Sequence, residues 1–250
     1  MVIEIRDVTF GYSPRRRVFE QLNLVIDSFP AVVLGPNGAG KSTLLGLIAG
    51  HLKPREGTVQ VAGHGRTASP IRLRAKTGWL PQDVPALSGF SLRQQVAYAG
   101  WLKGMRYSEA WLNATDALEA VSLRDQQDQR SRKLSGGQRR RLGIAQALVH
   151  VPSLLVLDEP YAGLDPEQRS SVRDTLLAVS TETSLLVSTH QTDDLEDVYA
   201  YVLVIDGGRV VFAGPIVEFY ASVPWSTPPS MRAEVAYRQI LKTNLPADRK

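Results

Sequence analysis

Cysteine is absent from this 250-residue chain, which excludes structural disulfides and metal sites built on thiolates. The sequence also lacks any uncharged apolar run that approaches the roughly 20 residues needed to span a bilayer. Residues 1–7 carry charges where a secretory signal peptide has an apolar stretch. We therefore expect a soluble protein, and any membrane-spanning segments that it works with should belong to another chain.

Charge of one sign is only modestly in excess, with a formal net charge of +4. Arginine clusters at 15–17 and 139–141 are of the kind that meets phosphates, an acidic partner or anionic lipid. A solvated basic face is an equally good interpretation of the first cluster. Aromatic residues make up 7% of the chain and are not interleaved with these clusters, so we expect no nucleic acid as a partner.

A glycine-rich stretch at 35–43 is the most informative part of the sequence. It follows an apolar run, Ala31–Leu34, that predicts a buried strand, and it precedes a run, Leu44–Ala49, that suits a helix. The glycines allow the backbone to curl, so that several N–H groups point at a phosphate near the helix N-terminus. A lysine for the terminal phosphates and a serine hydroxyl for Mg²⁺ complete the pattern of a phosphate-binding loop. The stretch consists of Gly35, Pro36, Asn37, Gly38, Ala39, Gly40, Lys41, Ser42 and Thr43.

Two acidic residues, Asp158 and Glu159, follow the apolar run Leu154–Leu157. A run without polar residues predicts a strand of a parallel sheet that is buried on both faces. An aspartate at the end of such a strand, beside a phosphate loop, helps to hold Mg²⁺. The carboxylate of Glu159 can orient or deprotonate a water molecule, which typically accelerates a reaction by roughly 10²–10⁴.

A second candidate anion site lies at Ser135–Gln138, where a serine and two glycines begin a basic amphipathic helix predicted over 136–150. A lone Ser-Gly-Gly is usually a turn, but this one precedes Asp158 by one helix, which is a much more specific arrangement. Further along, Asp165–Gln168 predicts another helix start, with its aspartate as N-cap, its proline at N1 and its glutamine as the capping-box partner.

The remaining pattern is typical of an α/β chain with one helical stretch. Apolar residues between 91 and 121 recur at helical spacing without a strand between them, which indicates two or three inserted helices. Residues 10–14 predict a turn, and residues 201–212 predict a hairpin around a Gly-Gly pair. After residue 221 the chain is rich in proline and serine, and a short helix is predicted over 231–241.

In combination, these motifs resemble those of the ATP-binding cassette family, the nucleotide-hydrolysing subunits of ABC transporters. The resemblance covers about residues 1–220. Gly35–Thr43 matches the Walker A motif, Leu134–Gln138 the signature motif and Leu154–Glu159 the Walker B motif. Other matches are a D-loop at Gly163–Asp165, a switch-histidine segment at Ser188–His190, a Q-loop glutamine at Gln82 and an adenine-stacking aromatic at Tyr12.

The resemblance implies an α/β fold with a P-loop NTPase core and a mostly parallel sheet. An N-terminal antiparallel β region and an inserted helical subdomain complete the implied architecture. The ATPase domain would extend over residues 1–222, with the helical subdomain at about 83–150. Residues 223–250 would form a C-terminal extension.

The resemblance also implies a role for each matched residue, with ATP and Mg²⁺ as cofactors. Tyr12 would stack on adenine while the loop at 35–43 holds the phosphates. The implied Mg²⁺ ligands are Ser42, Gln82 and Asp158, and the implied catalytic residues are Glu159, His190 and Gln82. The residues implied to bind nucleotide around the signature motif and the D-loop are Ser135, Gly136, Gly137, Gln138 and Asp165. Because the signature motif acts on ATP held by a second cassette, the working unit would be a head-to-tail pair.

The implied function is a Mg²⁺-dependent ATPase that converts ATP and water to ADP and phosphate and powers an ABC transporter. The second cassette would make a homodimer or a heterodimer, and residues 82–121 would dock a separate transmembrane permease subunit. The protein would then lie peripherally on the cytoplasmic face of the cell membrane. Residues 78–82 and 140–148 look most like bacterial exporter-type cassettes of the multidrug and antibiotic-export branch, so export is the expected direction.

Two other functions are compatible with the same motifs. A soluble ABC ATPase without a transporter would act in a cytosolic assembly process. A nucleotide-gated scaffold would bind ATP without turnover, although the loop lysine, the two carboxylates and the histidine together argue against it. The chain departs from the family pattern at Tyr161, where Thr or Ser is common, and at Phe29–Pro30, where a glycine usually stands. Neither departure removes a catalytic group.

Overall fold

The computed structural model describes residues 1–13, 15–61, 70–190, 192 and 195–244. Its strands are β1 (Ile3–Ser13), β2 (Arg16–Ile26), β3 (Ala31–Leu34), β4 (Glu56–Val61), β5 (Thr77–Leu80), β6 (Leu154–Asp158), β7 (Ser184–Thr189), β8 (Tyr201–Asp206) and β9 (Arg209–Pro215). Its helices are α1 (Lys41–Ile48), α2 (Pro70–Lys76), α3 (Leu92–Leu102), α4 (Tyr107–Ala120), α5 (Gly136–Leu148), α6 (Pro166–Ser180), α7 (Leu195–Val198), α8 (Ile216–Phe219) and α9 (Pro229–Asn244). Short 3-10 turns lie at Arg124–Gln126 and Ser131–Lys133. Within these ranges, every helix is too short or too polar to cross a membrane.

The described residues form two compact units. Those up to residue 61 and from Leu186 onward make up the first unit, and those from 70 to Leu185 make up the second. The first unit contains an antiparallel sheet and a mostly parallel one, and the second contains a parallel strand pair covered by helices. These features confirm the predicted α/β fold class.

Two sheets define the first unit. In the antiparallel sheet β1 lies between β2 and β4, so that Ile3 is opposite both Ile26 and Val61. In the other sheet β3 lies between β7 and β8 and is parallel to both, while β9 pairs with β8 in the antiparallel direction. All four residues of β3 are buried, as its apolar sequence predicts. The carboxyl ends of β3 and β7 therefore lie side by side.

The second unit is organised around α5. This helix contacts α3, α4, α6 and β5. A Cβ on Gly78 of β5 would lie 2.3 Å from the carbonyl oxygen of Ala147, so the missing side chain lets α5 lie directly on the strand. β5 and β6 are parallel neighbours, with Leu80 opposite Leu157. The predicted helical stretch between 91 and 121 is confirmed as α3 and α4.

The predicted turn at residues 10–14 is wrong, because β1 continues through Ser13. Gly11 pairs with Arg17 and Ser13 with Arg16 across the β1–β2 ladder. A Cβ on Gly11 would lie only 2.4 Å from the carbonyl oxygen of Arg16. This glycine thus allows β1 and β2 to approach closely. The last residue of the predicted turn, Pro14, lies outside the described residues. The sequence interpretation also missed α2, and α9 is longer at both ends than the predicted helix.

α3 begins with a capping box that the sequence interpretation overlooked. Ser91 Oγ accepts a hydrogen bond from the backbone N–H of Gln94, and Gln94 Oε1 accepts one from the backbone N–H of Ser91 at 2.8 Å. We expect Ser91→Ala to lower the free energy of unfolding by about 1 kcal/mol, since the loss of an N-cap side chain has that typical effect. Urea unfolding followed by circular dichroism measures the change. The matched control is Ser108→Ala at an exposed position of α4; equal unfolding midpoints for the two variants would contradict the capping role.

Candidate functional site

The loop at residues 35–40 connects β3 to α1 in the first unit. Gly40 is the N-cap of α1 and has a φ of 110°, in the left-handed region that favours glycine. A Cβ on Gly40 would also lie 3.0 Å from Cζ of Phe19, and a Cβ on Gly35 would lie 2.3 Å from the carbonyl oxygen of Ile205. Neither position accepts a side chain without displacing its neighbours, so the glycines let β3 turn directly into the helix N-terminus.

Lys41 is the first residue of α1 and is only 6% exposed. Its Nζ donates to the carbonyl oxygens of Gly35 at 2.8 Å and Pro36 at 3.3 Å, which holds the ammonium within the loop. Ser42, Pro36, Asn37 and Gly38 are exposed, whereas Ala39 and Thr43 are buried. Backbone N–H groups at a helix N-terminus, together with an ammonium, attract phosphate oxygens. These residues therefore fit the phosphates of a nucleotide.

Tyr12 lies beside the phosphate loop. Its hydroxyl is 3.1 Å from Oγ1 of Thr43 in the first turn of α1. The Tyr12 side chain packs edge-to-face on Phe10, with ring centroids 5.2 Å apart. Tyr12 is nevertheless 62% exposed, so a face of the ring is accessible to a planar ligand such as a nucleobase.

His190 leaves the same edge of the parallel sheet as the phosphate loop. It follows Thr189, the last residue of β7, which lies opposite Leu34 at the end of β3. The His190 side chain is exposed. The first unit thus brings together Tyr12, the phosphate loop and the histidine that the sequence predicted for one site.

The second unit gathers the predicted glutamine and carboxylates at the ends of β5 and β6. Gln82 is exposed in the segment that follows β5, whereas Asp158 and Glu159 are only 4% and 9% exposed. Glu159 has a φ of 48°, a left-handed value that costs a non-glycine residue about 1–2 kcal/mol. Residues in such conformations cluster at active sites and ligand clamps, so this backbone conformation makes Glu159 a candidate for such a role.

Arg140 connects the ends of these two strands, and the sequence interpretation did not identify it as a site residue. Its Nη1 donates to the carbonyl oxygen of Pro81 at 2.9 Å, and its Nη2 donates to the carbonyl oxygen of Glu159 at 2.6 Å. Burial lowers the pKa of the Arg140 guanidinium, while the carboxylates of Asp158, Asp83 and Glu159 act in the opposite direction. An arginine stays charged in such surroundings, so a full positive charge lies between the two loops.

The spacing of small and apolar residues along α5 is the sequence signal that predicts the burial of Arg140. Arg140 shares one face of α5 with Gly137, Ile144 and Ala147, which are all buried and lie three, four and seven residues away. The sequence analysis instead treats the cluster 139–141 as one of a kind that meets phosphates, an acidic partner or anionic lipid. Of the three arginines in that cluster, Arg139 is exposed and Arg140 is buried. Arg141 is half-buried and donates to the carbonyl oxygen of Val121.

The signature stretch forms the N-terminus of α5 and uses Ser135 as its N-cap. Ser135 Oγ accepts from the backbone N–H of Gln138, and Gln138 Oε1 accepts from the backbone N–H of Ser135 at 2.9 Å. The hydroxyl hydrogen of Ser135 can still donate to an anion. Ser135 and Gly136 are exposed, so this helix start presents polar groups at the surface of the second unit.

The predicted helix start at Asp165 lies next to the signature glycines. Asp165 caps α6, with its Oδ1 accepting from the backbone N–H of Gln168 at 2.8 Å. A Cβ on Gly137 would lie 3.0 Å from Cγ of Gln168, so the side chain of Gln168 packs against this glycine. Asp165, like Ser135, is exposed.

The donor groups fit Mg²⁺ only in combination with a nucleotide. In the part of the chain that the structure describes, no group of three or more His, Asp or Glu residues could hold a metal ion by itself. Mg²⁺ usually binds through one or two carboxylates together with phosphate oxygens and water. Each unit contains a donor of a suitable type, an exposed hydroxyl at Ser42 in the first and a buried carboxylate at Asp158 in the second.

Comparisons with known proteins cover most of the chain. The family model described as ABC transporter matches residues 20–162. The chain is 34% identical to the methionine import ATP-binding protein MetN 1 of Paraburkholderia xenovorans (strain LB400), over 97% of this chain and 76% of that protein. It is 36% identical to the daunorubicin/doxorubicin resistance ATP-binding protein DrrA of Streptomyces peucetius, over 76% of this chain and 58% of DrrA. The structure of cbiO1 from Clostridium perfringens, part of the ABC transporter complex cbiONQ, matches with a TM-score of 0.77 and 28% identity, over 88% of this chain and 90% of that one.

The exposed ring of Tyr12 leads to a prediction about nucleotide affinity. We expect Tyr12→Ala to weaken ATP binding by about 2–10-fold, because aromatic stacking contributes about 0.5–1.5 kcal/mol beyond the burial of area. Tyr12→Phe, which keeps the ring, should stay close to wild type. Isothermal titration with ATP measures the effect, and titration with tripolyphosphate, which has no base, is the control. An equal loss of affinity for both ligands would contradict stacking and assign Tyr12 to the support of the loop.

Proposed function

The chain belongs to the ABC transporter family, and from this premise we propose that it is the Mg²⁺-dependent ATPase that powers transport through a separate membrane subunit. One observation carries the proposal. A phosphate loop with a buried lysine follows the parallel strand β3, and a pair of buried carboxylates lies at the carboxyl end of the parallel strand β6. Phosphoryl transfer depends mainly on positioning and on the stabilisation of charge, and groups held by buried strands are suited to both.

The proposed roles follow the motifs. Lys41 and the backbone of the loop at 35–43 hold the phosphates, with Tyr12 on the adenine. Ser42, Gln82 and Asp158 are the proposed Mg²⁺ ligands. The bound ion would neutralise charge on the phosphate oxygens.

Glu159 is the proposed group that orients and deprotonates the attacking water. Its burial and its constrained backbone support this role, because a general base acts only when it is held within hydrogen-bond reach of the proton. His190 is the proposed donor to the terminal phosphate. Its exposed position, one residue beyond the end of β7, supports a contact with a ligand.

The second cassette of a head-to-tail pair is proposed to meet Ser135, Gly136, Gly137, Gln138 and Asp165. The exposure of Ser135, Gly136 and Asp165 supports a contact with another chain. The backbone N–H groups and the serine hydroxyl at the start of α5 also support this proposal, because such groups bind phosphate oxygens.

The membrane subunit is proposed to dock on residues 82–121, within a helical subdomain at about 83–150 of an ATPase domain that covers 1–222. Exposed apolar side chains on α3 and α4 support this surface. They are Tyr98, Trp101, Leu102, Tyr107 and Leu112. Residues 223–250 are proposed as an extension, and the protein would lie peripherally on the cytoplasmic face of the membrane.

Export is the proposed direction of transport. The likeness of residues 78–82 and 140–148 to exporter-type cassettes and the 36% identity to DrrA support it. The 34% identity to the import protein MetN 1 is nearly as high, so identity alone does not decide the direction. The alternative of a soluble ABC ATPase in a cytosolic assembly process gains no support from the comparisons.

The role of Glu159 predicts a large kinetic effect. We expect Glu159→Gln to lower kcat for ATP by at least about 100-fold, since general-base catalysis contributes roughly 10²–10⁴. ATP binding should persist, and an ATP-bound dimer should accumulate on size-exclusion chromatography. The matched control is Glu119→Gln, the same change at an exposed carboxylate that pairs with Arg124. Unchanged hydrolysis by Glu159→Gln would remove Glu159 from the mechanism.

The transport role predicts a membrane partner. We expect affinity purification of the full chain from detergent-solubilised native membranes to recover a protein with several membrane spans. Serine substitutions at Trp101 and Leu102 should reduce that recovery, while Val151→Ser, at another exposed apolar position of the second unit, should not. Recovery of soluble partners only would favour the cytosolic alternative.

A further inference from the structure

The buried guanidinium of Arg140 is placed to do more than fill space beneath the ends of β5 and β6. Its two terminal nitrogens donate to backbone carbonyls on separate segments, at Pro81 and Glu159. The planar fork of an arginine can direct two donors at two acceptors at once, whereas a lysine is a single point charge on a flexible stem. A buried charge is costly unless it is well hydrogen-bonded. Packing alone would be satisfied by an apolar residue of similar length.

At Glu159 the contact constrains the proposed base directly. The carbonyl of Glu159 belongs to the peptide group that joins it to Pro160, so fixing this oxygen fixes ψ of Glu159. The same oxygen also accepts from the backbone N–H of Ala162 at 3.1 Å. A left-handed φ of 48° is retained by a glutamate only where its surroundings determine it strongly. The Arg140 bond is a charge-assisted contribution to that constraint.

At Pro81 the same guanidinium constrains the segment that carries Gln82. The carbonyl of Pro81 belongs to the peptide group that joins it to Gln82. The orientation of this carbonyl therefore sets the direction of the backbone at Gln82. A single side chain on α5 thus fixes the backbone on both sides of the gap between the two strand ends.

We propose that Arg140 is a positioning residue that sets the distance and orientation of Gln82 relative to Glu159 by tying together the carbonyls of Pro81 and Glu159. This inference rests on the proposed ATPase function for its kinetic consequence. The tether itself is a structural claim that can be tested without turnover. Arg140 contacts neither nucleotide nor water in this role, and it acts through the two residues that it aligns.

The kinetic test compares Arg140→Met with Arg141→Met. Both arginines lie on α5 and donate to backbone carbonyls, but Arg141 donates to Val121 and Ser122 instead of the strand ends. We expect Arg140→Met to lower kcat by about 10–100-fold, the range typical of lost support for a reacting group. KM for ATP should change by less than about threefold, because the phosphate loop is untouched. Arg141→Met should keep kcat near the wild-type value.

Two further measurements keep the proposal testable if Arg140→Met folds poorly. Arg140→Lys keeps the charge but loses the fork, and we expect it to retain part of kcat and to unfold near the wild-type temperature. Hydrogen exchange followed by mass spectrometry should show faster exchange in both Arg140 variants at Ala162, whose N–H donates to the carbonyl oxygen of Glu159. In Arg141→Met faster exchange should be confined to residues near Val121.

The outcomes separate this inference from the proposed function. Wild-type exchange at Ala162 in the Arg140 variants would overturn the tether. An equal fall in kcat for Arg140→Met and Arg141→Met would overturn the positioning role and leave only a structural one. A wild-type protein without Mg²⁺-ATP turnover would contradict the proposed function, and the exchange measurement would still decide whether the tether exists.

Discussion

A buried cation that donates to backbone carbonyls holds the loops at the candidate site in each of the two units. Lys41 donates to Gly35 and Pro36 in the first unit, and Arg140 donates to Pro81 and Glu159 in the second. A chain that leaves the end of a parallel strand has carbonyl oxygens without ladder partners, and each needs a donor if it is covered. A charged donor makes a stronger bond than a neutral one. The loops therefore acquire a defined shape without regular secondary structure of their own.

Features encoded by local pattern could be predicted from the sequence. The strands β3 and β6 were recognised because their residues are apolar without interruption, and both are fully buried. Asp165 was recognised as an N-cap because its side chain satisfies a backbone N–H only three residues away. The phosphate loop combines several such local signals: a buried strand, glycines where the chain turns, and a helix start. The α/β class follows from the same patterns.

Features that depend on distant contacts could not be predicted in the same way. The turn expected at 10–14 is a strand because Gly11 lets β2 approach, and this contact depends on register across the sheet. The predicted capping-box glutamine, Gln168, packs its side chain against Gly137 on another helix. Arg140 belongs to a run of three arginines whose surroundings differ completely, since helical geometry directs neighbouring residues to different faces. The carbonyls that Arg140 contacts lie 59 and 19 residues away along the chain.

The left-handed backbone of Glu159 has a consequence for how this position can evolve. Glycine adopts such a conformation without the steric penalty that a glutamate incurs. Selection for stability alone would therefore favour glycine at 159, whereas selection for turnover would retain the carboxylate of the proposed base. In a related chain, a glycine at this position would indicate selection for stability, and a glutamate would indicate selection for turnover. A lineage that kept the cassette only as a nucleotide-binding partner would be free to replace this glutamate with glycine and would gain stability by doing so.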